Sequence, residues 1–584
     1  MAEQWDLVIR NGSIVDGSGA PAFIGDVAIS GDRIAQVGTV VGSGREEIDA
    51  TDMLVTPGFV DIHTHYDGQL VWADRLTPSA YHGVTTVLAG NCGVGFAPCR
   101  AEDRDRLIKL MEGVEDIPGI VLAEGLTWEW ESYPEYLDAI DRPHDINFAT
   151  YLPHSAVRVY VMGERAAAGE TATPADLAKM ADITRDAMRA GALGFSSSRT
   201  LFHKSTTGDQ IPTLDAGELE LLTVAQAMQS EGDGILQVAT DYKTYSDVPG
   251  EFAMLRRVVE TTDRLLALPL TQGQSRPDTW REILGLVGEA NADGVKITAQ
   301  ILPRGIGMMY GLPLTMHPFT LCPSYQAIRH LPARDQADIM RDPDMKARIL
   351  AEIPNDPTMP LLAFVREFGN MFELTDPIDY EPTADRSIAA RAAAAGVEPE
   401  DLAYDLLLDH PDGPALFLLF ANYANGSLDP SLEQLRHPNV VPGLGDGGAH
   451  YGVICDASYS TFMLSHWSRD RSRGDKLSVP QAIHAMTQAT AHMAGLLDRG
   501  LLAPGYKADI NIIDHGQVRL RTPTVVFDLP AGGRRLMQQA DGFVATIVNG
   551  QVAYRDGKPT DRLAGRLVRG RQPAPTPELI AEAA

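Results

Sequence analysis

His63 and His65 are separated by one residue and follow the apolar run Leu54-Val-Thr-Pro-Gly-Phe-Val-Asp-Ile62. On a β-strand, residues i and i+2 project to the same face, so two imidazoles leaving the end of such a strand can share one metal ion. The plainer alternative is two histidines in an ordinary loop. It fits less well, because an apolar run precedes the pair and the polar Tyr66-Asp67-Gly68 follows it.

A second candidate is Cys92, in Ala89-Gly-Asn-Cys-Gly-Val-Gly-Phe-Ala-Pro98. Glycines on both sides let the backbone carry a thiolate close to a metal, although a lone cysteine is also a common small core residue. The third is Asp446, in Leu444-Gly-Asp-Gly-Gly-Ala-His450, placed to bind metal and to take a proton from water; here the alternative is a plain Asp-Gly turn. His154, Arg199 and His203 follow later strand candidates and are candidates for holding a substrate carboxylate or carbonyl, against the alternative of surface or internally satisfied groups. Asp67 suits orientation of a ligand from behind. His484 and His492, in a helical stretch before Gly495, read as packing or surface groups.

Elements must bring these residues together. Apolar strand candidates recur before helical stretches at Leu54–Ile62, Val84–Ala89, Ile146–Leu152, Ala192–Phe195, Gly234–Val238, Leu266–Thr271, Val295–Gln300 and Val440–Leu444. Eight strands alternating with helices predict an α/β fold of the (β/α)8 TIM-like barrel type, whose active sites lie at the C-terminal ends of the strands. Once such a barrel closes, the histidine pair after strand 1 and Asp446 after strand 8 become neighbours. The segment Thr173–Arg189 supplies one helix, with Thr173 as N-cap, Pro174 in the first turn and Gly191 after the end.

The first 58 residues alternate short apolar runs with Asn11-Gly12, Asp16-Gly17 and Gly31-Asp32 turns, and Ala508–Asp514 and Gly542–Gly550 repeat the texture. Both chain ends therefore build one small β-sandwich, with residues 1–58 and 500–560 as its two parts. Residues 59–499 form the barrel, about 305–430 are a helical insertion within it, and 561–584 are a tail whose Pro/Ala-rich end after about 570 is expected to be disordered.

With 78 acidic against 49 basic residues in 584, the net charge of −29 disfavours nucleic acid and membrane partners. The start Met1-Ala-Glu-Gln-Trp-Asp6 lacks the basic flank and apolar run of a signal peptide, and no stretch reaches about 18 apolar residues, so a cytoplasmic location is expected. Four scattered cysteines make no disulfide framework.

The motifs Val55-Thr-Pro-Gly-Phe-Val-Asp-Ile-His-Thr-His-Tyr-Asp67, Gly90-Asn-Cys-Gly-Val-Gly-Phe-Ala-Pro98, Gly191-Ala-Leu-Gly-Phe-Ser196 and Asp498-Arg-Gly-Leu-Leu-Ala-Pro-Gly-Tyr-Lys-Ala-Asp509 resemble the amidohydrolase superfamily, in its branch of N-acyl-D-amino-acid deacylases. The resemblance implies a zinc-dependent hydrolase with His63 and His65 as ligands, Cys92 as a bridging or additional ligand, and Asp446 as general base and ligand. Two family positions do not match: the histidines expected after strands 5 and 6 are missing from Val238-Ala-Thr-Asp-Tyr242 and Leu270-Thr-Gln-Gly-Gln274, and strand 4 carries no lysine. One Zn2+ per chain is therefore expected, with Asp241 and Gln272 as candidate replacement ligands. The expected reaction is hydrolysis of an amide of a small molecule, such as an N-acyl-D-amino acid. A cyclic-amide hydrolase, a deaminase and a catalytically silent binding barrel are the alternatives, and superfamily members are often homo-oligomers.

Overall fold

Gly58 is where the chain passes from one sheet to another. Leu54–Pro57 pairs with Gln4–Ile14 and with Ile510–Ile513, whereas Phe59–Asp61 pairs in parallel with Val84–Ala89. A Cβ at position 58 would lie 2.2 Å from Thr85 Oγ1, so the crossing needs glycine. The computed structural model describes residues 4–232, 234–242, 246–354 and 364–578.

Both chain ends build one branched nine-stranded sheet. Gln4–Ile14, Phe23–Ser30, Arg33–Gly38, Ser43–Asp49 and Leu54–Pro57 come from the N-terminal side, and Ile510–Ile513, Phe543–Val548, Gln551–Arg555 and Lys558–Pro559 from the other. The period-2 pattern explains its two faces: Leu7 and Ile9 join a cluster with Val27, Ile34, Ile510 and Ile547, while Val8, between them, packs with Trp5, Ala28 and Val40.

Eight parallel strands follow one another in chain order: Phe59–Asp61, Val84–Ala89, Asn147–Thr150 continued by Leu152–Pro153, Gly194–Arg199, Ile235–Thr240, Leu265–Pro269, Ile297–Ile301 and Val440–Pro442. Each pairs with the next. A further parallel bridge between Thr64 and Gly447 joins the end of the eighth to the end of the first. Each of the eight overlaps a predicted apolar run, but the run Leu54–Ile62 is split at Gly58 between two sheets, and the fourth strand extends past Phe195 to Arg199. Helices separate them, among them Pro174–Ala190, whose Thr173 and Asp176 form a capping box and whose Gly191 ends it at φ 111°.

The insertion between the seventh and eighth strands is not purely helical. Ile306–Tyr310, Met371–Glu373 and Leu416–Ala421 form an antiparallel sheet, which packs with Ala333–Met340, Ile388–Ala395 and Pro399–Asp409 around its own core. Nor is the C-terminal stretch loose where it is described: Gly565 bridges His144, Leu567 bridges Phe148 and Gln572 bridges Leu496. The last six residues of the expected disordered end lie outside the described residues. His484 takes the packing role expected of it, against the Gly17 carbonyl at 2.9 Å. Among the described residues no helix is long and apolar enough to cross a membrane.

A polar network lies behind the fourth strand. His154 holds Ser197 Oγ with Nδ1 (2.8 Å) and Glu220 Oε1 with Nε2 (2.7 Å), and the Arg158 guanidinium donates to both Glu220 oxygens at 2.6 Å. Burial alone would raise the Glu220 carboxyl, but the His154 hydrogen bond and the Arg158 charge bring it down to about 2. Both ring nitrogens of His154 are thus engaged within the protein, contrary to its expected role on substrate. Removing the carboxylate in Glu220→Ala leaves a buried guanidinium uncompensated and should cost about 3–5 kcal/mol in denaturant unfolding. Because the folded value is depressed, the wild-type contribution is complete above the ordinary value of 4.5 and is lost as pH falls towards 2. The variant's stability deficit should shrink over that window; a deficit constant with pH would refute the pairing.

Candidate metal and active site

The His63-Thr-His65 segment is clamped from two sides. Thr64 gives its N–H (3.0 Å) and its hydroxyl (2.7 Å) to the Leu88 carbonyl at the end of the second strand, and His65 gives its N–H to the Gly447 carbonyl at 2.8 Å. Asn91 Nδ2 reaches the carbonyls of both Thr64 (3.2 Å) and Leu88 (2.9 Å), tying the next turn to the same segment. That turn, Asn91–Gly93, holds Cys92 at φ 55°. Gly90 and Gly93 flank it because a Cβ on either would strike the third or fourth strand, at Tyr151 O (2.5 Å) and Ser197 Cα (2.9 Å). Asp67 secures the turn by accepting the Gly90 N–H at 3.1 Å, two residues before the cysteine.

These clamps bring four predicted residues together. One ligand atom from each of His63, His65 and Cys92 lies within 4.8 Å of the other two. Cys92 Sγ is 3.3 Å from His63 Nε2, and Asp446 Oδ1 is 3.5 Å from His63 Nε2 and 3.6 Å from His65 Nε2. Two imidazole nitrogens, a sulfur and a carboxylate oxygen are donors that zinc takes, so the residues fit a zinc site. The histidine side chains are 1% exposed and that of Asp446 23%, which makes the carboxylate the member a solute reaches.

Burial sets the protonation of each group. It lowers His63 to about 4, leaving a neutral ring with a lone pair, and raises the Cys92 thiol to about 11, so a thiolate there requires a nearby cation. Burial also pulls His65 down, but the Glu115 carboxylate together with contacts to Asp446 and Cys92 outweighs it and holds the ring well above its ordinary value. Asp446 would rise with burial. Its contact with His65 and the positive charge of that ring keep it well below the usual carboxylate range, an acceptor at neutral pH.

Two groups around this centre were not singled out in the sequence. Glu115, the last residue of the helix Arg104–Glu115, is buried with one oxygen 3.4 Å from His65 Nδ1 and the other 3.5 Å from His450 Nε2. Gln300, on the seventh strand, places Oε1 2.9 Å from His63 Nδ1. No local motif marks Glu115, whereas Gln300 was legible as a polar residue ending an apolar run.

The other predicted residues divide. His203 faces the centre: its ring nitrogen meets Ser198 Oγ at 2.9 Å, and burial, with smaller effects of His65, His450, Asp446 and His63, sets its pKa at about 3. Arg199 instead chelates Glu251 and donates to the Ala216 carbonyl. Asp241 does not join the ligands; its Oδ2 accepts the Leu201 N–H (2.8 Å) and the Thr200 hydroxyl (3.1 Å). Gln272 likewise closes a loop, accepting the Ala424 N–H at 3.1 Å and donating to the Pro277 carbonyl at 3.2 Å.

Comparison with known proteins supplies the family. A D-aminoacylase of Alcaligenes xylosoxydans xylosoxydans is 26% identical, covering 97% of this chain and 98% of the relative. An N-acyl-D-aspartate deacylase of the same organism is also 26% identical, over 95% and 93%. Among solved structures, N-acyl-D-glutamate deacylase from Bordetella bronchiseptica, complexed with zinc and a phosphonate mimic of the tetrahedral intermediate, shares the fold with a TM-score of 0.61 at 21% identity, covering 97% of this chain and 100% of that one. The model of the amidohydrolase family matches residues 46–554. The chain belongs to the amidohydrolase family, as a hydrolase of carbon–nitrogen bonds other than peptide bonds.

Proposed function

We propose that this chain is a zinc-dependent N-acyl-D-amino-acid deacylase that holds one zinc through His63, His65, Cys92 and Asp446. The observation that carries the reading is the approach of Asp446 Oδ1 to both imidazoles beside the Cys92 sulfur. The engagement of Gln272 at both ends of its amide in loop contacts supports one metal rather than two. The architecture we infer is a (β/α)8 barrel over residues 59–499, closed by the Thr64–Gly447 bridge, with a sheet domain, one nine-stranded sheet rather than the expected sandwich, from residues 1–58 and 500–560.

Zinc bound there would lower the pKa of water to about 7 and polarise the scissile carbonyl. Asp446, low in pKa and the most open member of the set, accepts the proton of the attacking water and returns it to the leaving nitrogen. Neutral His203, on the side of Ser198, is placed to hydrogen-bond the substrate. The deacylase relatives act on N-acyl derivatives of different D-amino acids, so the substrate class is carried over here and its side chain is not.

Zinc-replete protein should contain about one zinc per chain by elemental analysis, with less in Cys92→Ala; zinc-free protein would sink the reading. A panel of N-acyl-D-amino acids and their L-enantiomers should release free amine from the D-forms. Release of ammonia from amino-substituted rings, or opening of cyclic amides without deacylation, would assign one of the alternative reactions. Asp446→Asn should lose roughly 10²–10⁴-fold in kcat, the usual weight of a general base; wild-type turnover in that variant would remove Asp446 from the proton transfer.

A further inference from the structure

We propose that Gln300 and Gln237 are positioning residues for the metal ligands, Gln300 by fixing the tautomer of His63 and Gln237 by fixing the turn that carries Cys92. The inference rests on the metal-site reading above and concerns residues that lie behind the ligands. Both glutamines are fully buried, on the seventh and fifth parallel strands. Gln300 Oε1 stands 2.9 Å from His63 Nδ1, and Gln237 Oε1 accepts the Cys92 N–H at 2.9 Å.

The chemistry fixes which way each amide points. A backbone N–H only donates, so the Gln237 atom facing Cys92 is its carbonyl oxygen. A cation shared with the Cys92 sulfur and the Asp446 carboxylate, which both face His63 Nε2, would take the lone pair of Nε2 and leave the proton on Nδ1, which again requires the glutamine oxygen. Each oxygen is thus engaged while each Nε2 is buried without a hydrogen-bond partner. Such a donor costs about 1–3 kcal/mol, and leucine would fill similar space without that penalty. Space filling therefore does not account for two glutamines, whereas holding a ring proton and a strained turn does: Cys92 sits at φ 55° and has its N–H anchored by Gln237. The two histidines also receive unlike support, His63 a neutral amide and His65 the Glu115 carboxylate.

The test measures zinc affinity of the full chain by chelator competition, together with the absorption spectrum of the cobalt-loaded protein. Gln300→Leu should weaken zinc roughly 10–100-fold, as loss of a partner behind a ligand does, and Gln300→Glu should restore binding with a shifted cobalt band. In a His63→Ala background Gln300→Leu should produce no further loss; Gln237→Leu should behave the same way with respect to Cys92→Ala. Wild-type zinc affinity in folded Gln300→Leu, or an equal loss in both backgrounds, would overturn the inference and leave the metal site standing. Should Gln300→Leu not fold, an unshifted cobalt spectrum in Gln300→Glu overturns it. A wild-type chain that binds no zinc refutes the metal site itself and this inference with it.

Discussion

The join between the first and eighth parallel strands is the constraint on which the site depends. The Thr64–Gly447 bridge and the His65 N–H to Gly447 carbonyl bond set the histidine pair beside Asp446, although the two bridged residues are 383 positions apart in the chain. So close an approach excludes side chains: a Cβ at Gly448 would lie 2.9 Å from the His65 carbonyl oxygen, and one at Gly447 2.5 Å from Ser79 Oγ. The loop is also bent through left-handed conformations at Leu444, Asp446 and His450, which costs free energy at each non-glycine residue. Hydrogen bonds from strands already packed on both sides hold that strain in place, and the Asp446 carboxylate is aimed as a result.

Excluding water from this region sorts its carboxylates by their neighbours. Burial raises Asp61 and Glu115 to about 7 and Asp67 to about 6, whereas Asp446, facing three imidazoles, stays low. Groups of one chemical type thereby acquire different readiness to hold a proton, a separation that acid–base catalysis needs. A divalent cation at the meeting point of His63, His65 and Cys92 would favour the charged form of every acid and thiol around it, so ligand ionisation and cation binding are coupled.

Much of this was legible beforehand. Most of the parallel strands follow from apolar runs, because a strand covered on both faces is mostly apolar, but the fourth continues through Ser196-Ser-Ser-Arg199, which no apolar run marks. His63 and His65 stood out by their i, i+2 spacing after an apolar run, Cys92 and Asp446 because each follows such a run between glycines. Glu115 did not, since it ends a surface-facing helix and meets His65 only after the chain has folded back. Asp241 and Gln272 were suggested by sequence distance from a strand end alone, which fixes neither the direction of a side chain nor the competing backbone donors that the Leu201 and Ala424 N–H groups proved to be.

The fourth strand shows why position along the chain was insufficient. Ser196, Ser197 and Ser198 are identical and adjacent, yet alternation sends them to different places. Ser196 accepts the Gly93 N–H beside the cysteine turn, and Ser198, on the same face, meets His203. Ser197 points the other way, on the side of Phe195, and holds His154 against Glu220. His154 and His203 looked equivalent as histidines following strand ends; a one-residue difference in the serine that each meets sends one into the Glu220 network and the other to the opposite face of the strand.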